Sequence, residues 1–339
     1  MYSNVTNDPA GSAPSRPPAS LAELRAEPGL RLASGFWVDE PDALERVDAM
    51  FTRGAISESD AERLRHFIVE GYCVFHLEGE DEHFARFLAG IDRLWGERPH
   101  DLFYACDSPP KRLSRATPDE RRRRSRIHDL HSHLEEAREL YLDARLHRFA
   151  RLVMGDDVLA IQSLFFEYGS EQAIHRDPIV VPTGAHGHLL AAWVALEEIV
   201  PECGPLMYVP RSHHLPYYQF SPGEYRYDGS RMGADEANAA MRFFDDQCEK
   251  FGLAAKAFTA RKGEVLFWHA SLAHGGSPIT DPAKTRKSFV VHFSTASTYP
   301  KRDIRLTDDD RGGIWETREI LTSGNSRGYQ NPALGSLVG

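Results

Sequence analysis

From residue 158 onward the chain is a succession of short apolar runs broken by Gly, Pro, Asn and Asp, and no other feature limits its fold more. Residues 159–168, 189–196, 206–209, 255–258, 264–268 and 288–294 each read as a strand. One helical stretch, about 234–251, interrupts them. Many short strands separated by turn signals predict a sandwich or jelly roll. The first part of the chain has a different period. Residues 41–50 are helical in pattern, and Ser57 reads as the N-cap of a helix that Gly71 stops. A short strand over 72–77, a helix over 82–95 and a long helix from about His131 to Met154 complete this part. Helices gathered ahead of the strands predict a helical layer on one sheet, so the expected fold is mainly β with flanking helices.

Length allows one large domain or two ordinary ones: 339 residues, 41% apolar and 27% charged, suffice for a substantial core. Residues 1–20, rich in Ser, Pro, Ala and Asn, are expected to be a flexible leader. A single domain is expected over 21–300 and a C-terminal extension, able to pack near the active site, over 301–339. A formal net charge of −10 argues against a general nucleic-acid binder. Cys73, Cys106, Cys203 and Cys248 are scattered without a CxxC pair, which fits buried free thiols in a reducing compartment. No basic start with an apolar run opens the chain, and no window reaches the ~18–20 apolar residues a membrane span needs. A cytoplasmic protein with a small-molecule partner and no membrane is expected; the oligomeric state is open, a homodimer being one option.

Chemistry concentrates at His175-Arg176-Asp177. On a strand, residues two apart share a face, so His175 and Asp177 can offer an imidazole and a carboxylate to one point. A third ligand must come from far along the chain, and His274, in His274-Gly275-Gly276, is the candidate; His269 is its nearest competitor. Two imidazoles and one carboxylate on one face of a non-haem Fe(II) leave positions for a cosubstrate and O2. Arg286 opens a later strand, where a guanidinium can grip a carboxylate in bidentate fashion.

These motifs occur in a recognisable order. Gly71-Tyr72-Cys73-Val74-Phe75 is followed by His175-Arg176-Asp177, Ala192-Trp193-Val194-Ala195-Leu196-Glu197 and Cys203-Gly204-Pro205-Leu206. Then come Val209-Pro210-Arg211-Ser212-His213, Gly263-Glu264-Val265, His274-Gly275 and Arg286-Lys287-Ser288. The series resembles the phytanoyl-CoA dioxygenase family of Fe(II)/2-oxoglutarate-dependent oxygenases, over roughly residues 60–293. The resemblance implies a double-stranded β-helix (jelly-roll, cupin-like) core with an N-terminal helical layer. It implies Fe(II) on His175, Asp177 and His274, 2-oxoglutarate as cosubstrate with its distal carboxylate on Arg286, and O2 as oxidant. Trp193 and Ser288 match positions that line the cosubstrate pocket, and 2-oxoglutarate would leave as succinate and CO2. Halogenating relatives have Ala or Gly in place of Asp177, so the carboxylate here implies hydroxylation or another C–H oxidation. Separately, a natural-product tailoring enzyme is expected rather than one of fatty-acid breakdown. Glu167 departs from relatives that place a Lys nearby for the cosubstrate.

Other readings stand beside these. Trp193 is equally a core aromatic, and Ser288 is equally open. Gln162 is expected on a strand facing the site, as a cosubstrate or substrate contact. His186, His188 and His292 can line a pocket, whereas His213 and His214 read as structural. The Arg121–Arg126 run is a solvated segment or an anion-attracting rim. Substrate contacts are expected from residues 178–187, the Tyr- and Arg-rich stretch 217–232 and the chain from Tyr299 on. The competing function is a cupin-like metal barrel, an isomerase or a binding module, in which Arg286 has no task.

Overall fold

The structure, a computed structural model, describes residues 17–32, 34–99, 102–106, 113–117, 119, 121, 125–180, 187–228, 231–295, 297, 298, 305–308 and 314–317. Residues 1–16 of the expected leader, His186, Arg122–Arg124 and most of the C-terminal extension lie outside these. Ser20 caps α1 (Leu21–Ala26), accepting from the backbone N–H of Glu23, and the backbone N–H of Ala19 donates to Phe251.

The helical layer forms where polar caps and apolar periods agree. After α2 (Ala43–Thr52), Ser57 and Asp60 close a reciprocal capping box on α3 (Glu58–Glu70). Gly71 ends α3 at φ 82°, and a Cβ there would stand 2.4 Å from Nδ1 of His213, so no side chain fits. The chain then enters β1 (Tyr72–His76), α4 (Asp81–Glu97), β2 (Phe103–Cys106), β3 (Leu113–Arg115) and β4 (Ser125–His128). The long helix expected from His131 to Met154 is two: α5 (Glu135–Tyr141) and α6 (Ala144–Met154). Asp143 breaks it, because its carboxylate accepts from the N–H groups of Arg145 (2.8 Å) and Leu146 (3.3 Å) and starts a new helix.

The remaining elements are β5 (Val158–Phe166), the single turn α7 (Asp177–Val180), β6 (Leu190–Ala195), β7 (Leu206–Tyr208) and α8 (Ala234–Phe251). They are followed by β8 (Lys256–Phe258), β9 (Glu264–His269), β10 (His274–Gly276), β11 (Ser288–Thr295), β12 (Arg305–Asp308) and β13 (Ile314–Thr317). Among the described residues the large sheet runs β1-β9-β6-β11-β5-β4-β2-β3, with β13 added parallel to β5 and paired to β12. A small sheet, β10-β7-β8, faces it. This is the double-stranded β-helix, with helices on one side.

Both faces of the central strands β5, β6, β9 and β11 are buried, which is why they read as nearly continuous apolar runs. On one face Phe165, Val194, Phe267 and Phe289 pack with Phe67, Phe87 and Phe149 of the helical layer. On the other, Leu164, Phe166, Trp193, Leu266 and Trp268 meet Leu206, Tyr208 and Phe258 of the small sheet. This second face looks toward the site. Cys73, Cys203 and Cys248 are buried free thiols. No described helix is long and apolar enough to cross a membrane.

Candidate metal and cosubstrate site

His175, Asp177 and His274 come together, their ligand atoms all within 4.8 Å of one another. The way they converge differs from the strand alternation expected. His175 makes only an isolated bridge to His274, each backbone N–H donating to the other's carbonyl at 2.9 Å, and Asp177 already begins α7. The bend after His175 turns the carboxylate toward the imidazoles. Gly275 and Gly276 permit the bridge, since a Cβ on either would lie 2.6–2.7 Å from the backbone of Gln172 or Glu171.

Hydrogen bonds fix which atoms face the centre. Nδ1 of His175 donates to the carbonyl of Ala173 (2.9 Å) and Nδ1 of His274 to that of Leu272 (3.0 Å). Both Nε2 lone pairs therefore face Oδ1 of Asp177, at 3.8 and 3.5 Å. Oδ2 of Asp177 is taken by the indole N–H of Trp268 at 2.9 Å. Burial pushes the His175 pKa down to about 4, aided by the neighbouring His274, so the ring is a neutral donor near neutral pH. For Asp177, burial works to raise the pKa; His274, His292, His175 and the Trp268 hydrogen bond outweigh it and keep the group below the usual carboxylate range. Three such donors, two of them buried and His175 nearly so, suit a divalent ion of the non-haem iron kind.

Beside them lies a cationic pocket. Arg286 is 1% exposed and has no carboxylate partner among the described residues; Nη1 reaches only the Gly204 carbonyl, at 3.4 Å. Its guanidinium lies 5.2 Å from the Phe166 ring centroid and 5.9 Å from that of Trp193. Burial pushes its pKa down to about 10. Nε of Arg286, Nε1 of Trp193 and Oγ of Ser288 are all buried without a hydrogen-bond partner. Buried polar groups are ordinarily paired, so three orphans, one on β6, one opening β11 and one in the segment just before it, mark a place for a polar ligand. Ser288 faces Phe166 and Ala195, and Val290 faces Trp193, so Ser288 and Trp193 lie along the site face of β11 and β6. Arg286, expected to open the strand, stands two residues before it, with its guanidinium near the rings of Phe166 and Trp193.

Farther along the same stripe, Gln162 pairs with His292, whose Nδ1 donates to Oε1 of Gln162 at 3.0 Å. His292 thus joins the site face, while His188 is turned away, bonded to the Ser34 carbonyl and Thr295. His269, the competitor of His274, is engaged with Asp39 and the N–H of Ser271. His213 and His214 are packed against each other, 3.7 Å between ring centroids, away from the cluster. Glu167 does not face a cosubstrate; it holds Arg121 through Oε1 and Oε2 at 2.9–3.1 Å. From the arginine run, Arg126 reaches the site rim, its Nη1 donating to Oε1 of Gln172 at 3.0 Å. The amide of Gln172 in turn donates to Nε2 of His175 at 3.3 Å. Sequence reasoning missed Gln172 and Trp268 as partners of the ligands, although Gln172 stands three residues before His175 and Trp268 ends a strand read from the sequence.

Fold and site together define a double-stranded β-helix that gathers two histidines, an aspartate and a buried arginine between its sheets. The chain belongs to the phytanoyl-CoA dioxygenase (PhyH) family, whose model matches residues 69–288. It is 23% identical over 177 residues to the phytanoyl-CoA dioxygenase domain-containing protein 1 of Mus musculus, a match spanning 50% of this chain and 56% of that one. Among solved structures it is similar to the non-haem α-ketoglutarate-dependent carbocyclase SnoK from nogalamycin biosynthesis, at TM-score 0.53 and 18% identity over 72% of this chain and 85% of that one. It is likewise similar to EctD from S. alaskensis with bound Fe, at TM-score 0.53 and 20% identity over 83% of this chain and 88% of that one.

Proposed function

We propose that the chain is an Fe(II)/2-oxoglutarate-dependent oxygenase that hydroxylates, or otherwise oxidises, a C–H bond of a small molecule. His175, Asp177 and His274 would hold the iron; Arg286, Trp193 and Ser288 would hold the far carboxylate of 2-oxoglutarate. The observation that carries the reading is Arg286, a buried guanidinium with no acid partner among the described residues, beside two further orphaned donors. A buried cation so placed is costly unless a ligand anion completes it. EctD from S. alaskensis, of similar fold, is known with Fe and with 2-oxoglutarate, which agrees with this donor set.

Bound there, Fe(II) with 2-oxoglutarate and O2 supplies an oxidant for C–H bonds, 2-oxoglutarate leaving as succinate and CO2. The protein's part is orientation and exclusion of water. Ala173 and Leu272 hold both imidazoles with Nε2 inward, Trp268 commits one oxygen of Asp177, and the apolar face around Leu164, Phe166 and Leu266 keeps the centre dry. Purified protein given Fe(II) and 2-oxoglutarate in air should release succinate slowly without substrate, and His274→Ala should stop it. Iron-independent release, or none under any condition, would count against the proposal.

A further inference from the structure

Resting on the oxygenase reading, we infer the class of substrate from a second cavity. It measures about 460 Å³, within the ~300–1,000 Å³ usual for small-molecule sites. Gln172 and His175 form its wall on the metal side, and none of Arg286, Trp193 or Ser288 lines it. We propose that it takes a flat aromatic or fused-ring molecule bearing an acidic oxygen, a carboxylate or phenolate.

The walls are largely aromatic. Tyr217, Tyr218, Phe220 and Tyr225 line one side, and Phe243 and Phe244 of α8 the other. The hydroxyl of Tyr217 is committed to Ser271 (2.8 Å), and that of Tyr227 to the carbonyls of Met232 and Gly233 (2.9 and 3.2 Å). These two tyrosines therefore meet a ligand with their rings rather than their hydroxyls, and Arg176 already covers one face of Tyr217. The rings brace one another: Tyr217 and Tyr225 centroids are 5.5 Å apart, those of Tyr218 and Phe243 5.8 Å. Ala237 and Ala240 of α8 leave the space between. The rings stand tilted or edge-on to one another, at 54–80°. Such braced aromatic walls favour a rigid ring ligand through edge-to-face and offset contacts, whereas a flexible chain loses rotamer freedom on entry.

One end of the cavity is cationic. Arg176 lines it, is 4% exposed, and sits over Tyr217 (4.5 Å) and Phe244 (5.1 Å). Its Nη1 donates to the carbonyls of Leu215 (3.1 Å) and Pro216 (3.2 Å), and it forms no ion pair with a described carboxylate. Two carbonyls orient the guanidinium without neutralising it, and an acidic oxygen on the ligand would. The carboxylate of Glu171, also in the wall, is held by the backbone N–H of Ile279 at 2.7 Å.

The test uses the whole protein, anaerobic with Fe(II) and 2-oxoglutarate, titrated with 2-naphthoate, 2-naphthalenemethanol and decanoate. Calorimetry reads binding, and the visible band of the iron–cosubstrate complex reads proximity to His175. We expect 2-naphthoate to shift the band and to bind at least about tenfold more tightly than the alcohol, which lacks the charge-assisted bond, and than decanoate, whose flexible chain loses rotamer freedom on entry. Arg176→Gln should reduce it to the level of the alcohol. Should that variant misfold, Ala240→Trp, which fills the cavity from the helix side, decides: it should abolish binding of all three while the band persists. Decanoate or the alcohol binding as tightly as 2-naphthoate, or binding that survives Ala240→Trp, overturns the inference. A band that forms while 2-naphthoate fails to bind overturns it alone; a band that never forms removes the oxygenase reading beneath it.

Discussion

The indole N–H of Trp268 donates to Oδ2 of Asp177 at 2.9 Å, which leaves Oδ1 turned to the two imidazole nitrogens. A partner of this kind tunes a ligand without touching the metal. Trp268→Phe keeps a ring against His274, where the indole now lies tilted at 4.7 Å, but frees the second oxygen. Metal affinity should fall about 10–100-fold, measured by chelator competition, with the fold unchanged by circular dichroism. Unchanged affinity would make the bond incidental.

Arg286 offers a test of charge against packing. In a structural ion pair, losing the cation would strand its partner and destabilise the fold, but Arg286 has no described acid partner. Arg286→Met should leave the thermal midpoint of the ligand-free protein unchanged or raised. Its 2-oxoglutarate affinity should drop about 100-fold, equivalent to ~2.7 kcal/mol lost from a bidentate charged contact. A large fall in the midpoint would mean that Arg286 serves the fold.

Gly275 sets how closely the two ligand-bearing segments approach. A Cβ there would meet the Gln172 carbonyl at 2.6 Å, and backbone has little room to give. Gly275→Ala should part the His175–His274 bridge and lower metal affinity at least about tenfold, since second-segment geometry governs ligand placement. Ala at this site with full metal binding would contradict the account.

Acid should loosen the packing behind the site. Burial pushes the His214 pKa down to about 3, with Arg25 adding to it, and His213 well below its usual value, with His214 adding to it. Nδ1 of His213 and Nε2 of His214 have no partner among the described residues. Both rings are neutral when folded and take up protons when unfolded. Stability contributed by the neutral rings is therefore intact above about pH 6.5 and is lost as pH falls toward 3, at up to about 1.4 kcal/mol per pH unit for each ring. Urea midpoints between pH 7 and 5 should decline, and His214→Asn should flatten the decline. A midpoint independent of pH in that window would refute this.

Where local chemistry decides structure, the sequence was sufficient. Ser57, Gly71 and the run that becomes α8 marked their elements because caps and periods act within a few residues. The motif series likewise pointed to His175, Asp177, His274 and Arg286. The break at Asp143 was hidden because the apolar period continues across it, and only the cap of the second helix reveals it. The approach of Asp177 to the histidines was read as strand alternation, but a bridge and a helical turn produce it, held by contacts nearly a hundred residues away. Gln172, Trp268 and the cavity under α8 were illegible for the same reason: each depends on which segments the two sheets bring together.

The most direct test of the central claim is an anaerobic titration with Fe(II) and 2-oxoglutarate, followed by visible absorption. The account predicts a weak charge-transfer band in the wild type, none in His175→Ala, and a band needing far more 2-oxoglutarate in Arg286→Ala. Metal binding with no band at any 2-oxoglutarate concentration would contradict it and favour a metal-binding barrel of another function.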